Sequence, residues 1–182
     1  MLVGRSNVGK SSLINALTRQ KVARTSAEPG KTRLANVYRI ARPSTGSGQA
    51  GVRALHLIDL PGYGYARRQA RGKSAEPAFD DIAQALFARR PAALLLVDSR
   101  HPGLDSDRAA WTWVTGAAAR SAVVATKIDK LARGERIRAM RQLESVFDAT
   151  VVPVSAATGE GMDELWNLID SLAKPPRLSS SR

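Results

Sequence analysis

Eight residues near the start of the chain, Gly4-Arg5-Ser6-Asn7-Val8-Gly9-Lys10-Ser11, constrain its fold more than any others. They satisfy the pattern G-x-x-x-x-G-K-[ST]. Glycines at both ends let the backbone curl tightly and turn successive N–H groups inward, which makes a nest for phosphate oxygens. Lys10 would reach the terminal phosphates as a point charge, and the Ser11 hydroxyl would ligate a magnesium ion. Ser12 to Leu17 reads as a helix, whose N-terminus adds partial positive charge at the same spot. Taken alone, the pattern also fits a glycine-rich turn before an ordinary helix. Leu2-Val3 should end a buried strand, yet only Met1 precedes them. Strands usually run about 5–6 residues, so either the chain begins late or this first strand is a stub.

The rest of the chain alternates strand and helix patterns. Leu34 to Ile40 and Val52 to Leu60 are rich in branched and aliphatic residues, and the turn chemistry of Arg42 to Gln49 between them predicts a hairpin with a long exposed tip. Ala92 to Val97, Ala122 to Ala125 and Val151 to Val154 read as buried strands. Helices are expected around Ile82, Ala85, Leu86 and Arg89, over Asp105 to Ala119, along Ile137, Met140, Leu143 and Phe147, and along Leu165, Leu168, Ile169 and Leu172. Arg19 to Lys31 and Gly62 to Ala75 are expected to be mobile loops. Short connections between alternating strands and helices call for a mostly parallel sheet covered on both faces, with the ligand at the carboxyl ends of the strands.

Three further motifs fall at the ends of predicted strands. Asp59-Leu60-Pro61-Gly62 fits D-x-x-G: Asp59 would hold a magnesium-bound water, and the Gly62 N–H would meet a terminal phosphate oxygen. Asp, Pro and Gly also favour plain turns. Thr126-Lys127-Ile128-Asp129 fits [NT]-K-x-D, in which an ionised carboxylate accepts hydrogen bonds from guanine N1–H and the 2-amino group. Adenine has neither donor on that edge, and the unpaired Asp129 would cost roughly 1–3 kcal/mol. Lys127 would lay its stem over the base. Ser155-Ala156, after Val154, would offer a backbone N–H to guanine O6. Four motifs in this order imply a guanine-nucleotide-binding domain of the GTPase type.

Charge narrows the partners. The chain carries 28 Lys+Arg against 16 Asp+Glu, a net +12, and 21 of the basic residues are Arg. Arg suits bidentate phosphate contacts, so a polyanionic partner, nucleic acid or a nucleoprotein particle, is expected. The absence of cysteine excludes a disulfide framework and a thiolate metal site. The apolar runs are too short to span a membrane, and no signal-peptide pattern opens the chain. A cytoplasmic monomer with no membrane insertion is the expectation.

Gly4 to Leu17 (GRSNVGKSSLINAL), Pro29 to Arg33 (PGKTR), Asp59 to Ala66 (DLPGYGYA), Val97 to His101 (VDSRH) and Thr126 to Leu131 (TKIDKL) together resemble the EngB/YihA/YsxC GTPases of the TrmE–Era–EngA–EngB group. The resemblance implies an α/β phosphate-loop NTPase of Ras-like, three-layer fold, mostly parallel with one antiparallel hairpin strand. It implies a GTP-hydrolysing switch in large ribosomal subunit assembly, also linked to septation in cell division, with the subunit precursor or rRNA as partner. Carried over by position, the GTP contacts are Gly4, Arg5, Ser6, Asn7, Val8, Gly9, Lys10 and Ser11. Gly30, Lys31, Thr32, Arg33 and Leu34 follow in switch I, then Asp59, Leu60, Pro61 and Gly62 in switch II. Thr126, Lys127, Ile128 and Asp129, with Val154, Ser155 and Ala156, complete the set. Thr32 would close on magnesium and the γ-phosphate, Ser11 is the other magnesium hydroxyl, and Asn7 would hold a monovalent cation, typically potassium. Lys10, Thr32 and Asn7 are thus the catalytic candidates. The GTPase domain is expected over residues 1–174, with its first strand cut short. Residues 175–182 are expected to be a disordered tail.

Ras-like enzymes place a Gln directly after D-x-x-G to orient water, where this chain has Tyr63. An unstimulated rate on the order of 10⁻⁴ to 10⁻² per second follows. Arg67, Arg68, Arg71 and Lys73 would meet RNA phosphate or the nucleotide, or belong to a solvated loop. His56 and His101 are expected in core or turn roles. Of Trp111 and Trp113, which cannot share one helical face, one is expected in the core. Two other readings are a nucleotide-responsive septation scaffold and an ATP-dependent phosphate-loop kinase. Thr126 to Asp129 argues against the kinase.

Overall fold

The computed structural model describes residues 1–23, 35–42, 54–63 and 79–174. Expectations for Gly30 to Leu34, for most of the hairpin tip, for Arg67, Arg68, Arg71 and Lys73, and for the tail lie outside the described residues. In chain order the elements are β1 (Leu2–Gly4), α1 (Lys10–Thr18), β2 (Asn36–Ala41), β3 (Ala54–Asp59), α2 (Phe79–Phe87), β4 (Ala92–Asp98), α3 (Asp105–Ala117), β5 (Arg120–Thr126), α4 (Arg133–Phe147), β6 (Val151–Pro153) and α5 (Met162–Ala173). One turn of 3₁₀ helix, Ile128–Lys130, follows β5.

The strands form one six-stranded sheet in the order β2-β3-β1-β4-β5-β6. All pairs are parallel except β2–β3, which run antiparallel from Asn36 opposite Asp59 to Ala41 opposite Ala54. Strand β1 spans three residues, all of them buried. It is stabilised by lying between two longer strands, with Leu2 opposite both Asp59 and Leu94, and Gly4 opposite Leu96.

Successive strand residues point to opposite faces, and β4 uses both. Leu94 and Leu96 join Leu13, Ile14 and Leu17 of α1 and Leu165, Trp166 and Ile169 of α5 in one core layer. Leu95 and Val97 join Phe87 of α2, Val114 of α3, and Leu143 and Phe147 of α4 in the other. Two covered faces explain why β4 and β5 read as continuous apolar runs instead of alternating ones.

Several helix faces differ from the expected stripes. Among the described side chains of α2 the buried ones are Ala83 and Phe87, while Ala85 is exposed. In α4 Ile137 is 48% exposed, and Ala139 takes its place beside Leu143 and Phe147. Neither Trp111 nor Trp113 is core, because Val114 fills the line facing the sheet. The two indoles flank it instead. Trp111 meets Phe147 edge-on at 6.0 Å between centroids, and Trp113 lies 4.6 Å from Phe87. His56 is exposed on β3, not core, whereas His101 does sit in a turn, its N–H donating to the Asp98 carbonyl. Among the described residues no helix is long and apolar enough to cross a membrane.

Candidate nucleotide-binding site

Every described motif residue lies at the carboxyl ends of the strands, around the turn from β1 to α1. Gly4 must lack a side chain: a Cβ there would stand 2.9 Å from Val8 Cγ1 and 3.0 Å from the Leu96 carbonyl oxygen. The loop then curls through left-handed backbone at Asn7 (φ 63°) and Gly9 (φ 110°). The Val8 N–H closes the turn on the Arg5 carbonyl at 3.3 Å. Gly9 caps α1 without a side-chain acceptor, and the first turn carries no acidic residue. That end keeps the anion-attracting character of helix N-termini. Ser11 stands in this first turn.

Lys10 is buried, and its Nζ donates to the Gly4 carbonyl at 3.2 Å. Burial lowers its pKa, and the charge of Asp59 opposes this. Asp59, at the end of β3, is likewise buried, and its Oδ1 has no hydrogen-bond partner among the described residues. Burial pushes its carboxyl up to about 6, with Lys10 pulling the other way. Leu60 is fully buried beyond it. An enclosed carboxylate oxygen with no donor, beside a phosphate nest, suits a cation with its shell of water. No group of three or more carboxylate or imidazole side chains gathers among the described residues. Asp59 and Ser11 are the oxygen donors here that would suit a hydrated magnesium ion.

After Pro61 the D-x-x-G turn rests directly on the phosphate loop. A Cβ on Gly62 would stand 2.7 Å from the Ser6 nitrogen. The Ser6 N–H donates to the Tyr63 carbonyl at 3.4 Å. Sequence reasoning missed what fastens this junction. Asp107 of α3 is 1% exposed, and its Oδ1 accepts from Arg5 Nε at 2.9 Å and from the Tyr63 hydroxyl at 2.8 Å. Burial raises the Asp107 pKa, opposed by Tyr63 and Arg5, while burial and Asp107 drive the Tyr63 phenol far up. The sequence signal was a carboxylate on the apolar stripe Asp107, Ala110, Trp111, Val114 of an amphipathic helix.

On the other side, the Thr126 hydroxyl ties β5 to the loop, with Val8 and Val97 carbonyl oxygens at 2.6 and 3.0 Å. Lys127 has left-handed backbone (φ 61°), and its Nζ donates to the Asn7 carbonyl and to Asp98 Oδ2. Ile128 is buried, which anchors the 3₁₀ turn that carries Asp129. Asp129 Oδ1 accepts from Ser155 Oγ at 2.7 Å, and that bond above all holds its carboxyl below the usual range. Ser155 is fully buried, after fully buried Val154, and its Oγ also accepts from the Ala157 and Thr158 N–H groups. Ala156 packs on the α1/α5 core layer.

Phosphate nest, enclosed carboxylate and paired Lys-Asp turn on this sheet define a phosphate-loop GTPase. The chain spans 94% of its length in alignment with a probable GTP-binding protein EngB from Anaeromyxobacter sp. (strain K). It is 41% identical over 177 residues and covers 80% of that relative. The family model described as 50S ribosome-binding GTPase matches residues 1–127. Two solved structures share the fold. A probable GTP-binding protein EngB has TM-score 0.67 at 22% identity, over 94% of this chain and 96% of that one. Era in complex with MgGDPNP and nucleotides of 16S ribosomal RNA has TM-score 0.73 at 21% identity, over 99% and 59%. The chain belongs to the EngB family of GTP-binding proteins, and with it to the GTP hydrolases.

Proposed function

We propose that this GTPase binds GTP and GDP across the mouth described above and acts as a switch on the large ribosomal subunit precursor or its rRNA. A role linked to septation belongs to the same reading. The supporting observation is the Lys127 bond to the Asn7 carbonyl, which joins the base turn and the phosphate nest into one continuous site. Residues 1–174 form the acting domain, working as a cytoplasmic monomer, with 175–182 as a tail. The net charge of +12 favours an RNA-bearing partner, and Arg133, Arg138 and Arg141 stand exposed along α4.

In this reading the loop from Gly4 to Ser11 cradles the phosphates, chiefly through the N–H groups that open α1, and Lys10 compensates charge on the transferred group. Ser11, Thr32 and Asp59 would hold magnesium, which would supply charge neutralisation on the phosphates. Gly30 to Leu34 would contact the nucleotide, with Thr32 meeting the γ-phosphate, and the Gly62 N–H would meet it as well. Asp129, kept ionised by Ser155, takes the two guanine donors. Lys127 lies along the base, and the Val154 to Ala156 segment faces O6. Tyr63 has its hydroxyl committed to Asp107, so it does not orient the attacking water. Asn7 would hold potassium, whose charge would offset that developing at the leaving oxygen.

Asp129→Asn should transfer preference from guanosine to xanthosine nucleotides, and unchanged selectivity would refute the base assignment. Sedimentation with ribosomal particles should be stronger in GTP than in GDP. Equal recovery in both would remove the switch. Equal hydrolysis rates in potassium and sodium would remove the Asn7 cation.

A further inference from the structure

Asp98 closes β4 on the base side of the mouth, and its side chain is 5% exposed. Four donors converge on it. Oδ1 accepts from the Arg100 backbone N–H at 3.1 Å and from Arg100 Nε at 2.9 Å. Oδ2 accepts from an Arg100 terminal nitrogen at 2.7 Å and from Lys127 Nζ at 2.9 Å. An ionised carboxylate offers about four acceptor sites, so this one is saturated. Burial alone would raise its pKa, but the bonds from Arg100 and Lys127 win and keep it well below the usual range. The Lys127 ammonium is therefore held at two points on different parts of the fold, the phosphate loop at Asn7 and the end of β4 at Asp98. Its main chain is fixed as well, in the left-handed region that side chains rarely adopt. Nothing in the [NT]-K-x-D pattern requires a carboxylate at the end of the preceding strand.

We propose that Asp98 is a positioning residue for guanine-nucleotide binding: it pins the Lys127 ammonium so that the lysine stem is presented, already ordered, to the base. Arg100 holds Asp98 in turn. The inference rests on the reading in which Lys127 and Asp129 take the guanine. A lysine tied only to one carbonyl would lose rotamer freedom when the nucleotide arrives; tied at two points, it has lost that freedom on folding. The gain appears as affinity, because ordering costs at a binding site subtract from it. Asp98 also neutralises the ammonium, which keeps it from competing with Lys10 for phosphate.

Asp98→Asn should lower the affinity for GDP and GTP alike by about tenfold, equivalent to about 1.4 kcal/mol. KM for GTP should rise by the same factor with kcat unchanged, since the γ-phosphate side is untouched. Arg100→Met, at a partly exposed residue, should cost about two- to threefold by the same route. In a Lys127→Met background, which keeps a stem and removes the ammonium, both effects should shrink below about twofold. The inference is overturned if either substitution weakens GDP binding as much without the ammonium as with it, or if kcat falls while KM holds. The Arg100 arm decides the matter should Asp98→Asn fail to fold. Asp129→Asn is measured alongside. If it keeps its preference for guanosine, the base reading itself fails. If it switches to xanthosine while the Asp98 and Arg100 variants bind GDP normally, only the positioning role fails.

Discussion

Tyr63→Phe tests the junction between the phosphate loop and the D-x-x-G turn with a single oxygen. The Tyr63 hydroxyl is one of two donors to Asp107 Oδ1, and Asp107 Oδ2 is already buried without a partner among the described residues. Deleting the hydroxyl leaves a 1% exposed carboxylate with Arg5 Nε alone. Hydrogen bonds to charged groups contribute about 1.5–3 kcal/mol, and a chain of this size shifts Tm by about 2–4 °C per kcal/mol. A loss of about 2 kcal/mol should therefore lower Tm by about 4–8 °C at pH 7.5. The pH dependence has a definite sign. Asp107 has its folded pKa raised by burial, so its ionised form costs stability above that pKa and the cost is relieved as pH falls. Removing the Tyr63 donor raises that pKa further, so the gap between variant and parent should narrow from pH 7.5 to pH 5. Thermal unfolding of the nucleotide-free protein, followed by far-UV circular dichroism, reads both. In an Asp107→Asn background, which removes the charge, the Tyr63→Phe cost should drop below about 1 kcal/mol. An unchanged Tm, or a gap that widens at pH 5, would refute the argument that this buried charge depends on Tyr63.

Asp59→Asn should raise the Tm of the nucleotide-free, magnesium-free protein at pH 7.5. The folded carboxyl titrates about 6 because burial raises it, against about 3.9 unfolded, so ionisation costs about 2–3 kcal/mol that is relieved as pH falls through 6 toward 4. The gain should shrink to about a third by pH 4.5, vanish below about pH 4, and be accompanied by loss of magnesium-dependent GTP binding; a lower Tm at pH 7.5 would contradict it. Gly161→Ala should be severely destabilising, because a Cβ there would stand 2.0 Å from the Pro153 carbonyl oxygen and the backbone lies at φ +75°. Soluble expression with a parental melting curve would show that the Val154 to Ala156 turn does not depend on this packing. Ile137→Lys should shift Tm by under about 2 °C, since the residue is already half exposed; a fall beyond that would return Ile137 to the core.

Chemistry written in contiguous residues was legible in the chain. The phosphate loop is legible because only glycine tolerates the approach of Gly4 to Val8 and Leu96, and because the lysine and serine follow it within one turn. The order of motifs and the alternation of strand and helix patterns sufficed for a mostly parallel sheet with one hairpin. Helix faces were less legible. A residue spacing of three and four allows adjacent stripes, and only the neighbouring elements choose between Ala85 and Ala83, or between Ile137 and Ala139.

The pairings that tune the site belong wholly to the tertiary structure. Arg5 and Asp107 stand 102 residues apart, Tyr63 and Asp107 44 apart, and Lys127 and Asp98 29 apart. No local pattern relates such positions. They meet because parallel strands deliver their carboxyl ends to one edge, where the low-dielectric interior makes each buried carboxylate require a specific donor. The sequence by itself determined which ligand chemistry the loops carry. The fold decided which remote charges hold those loops, because burial and distance exist only once the sheet has formed.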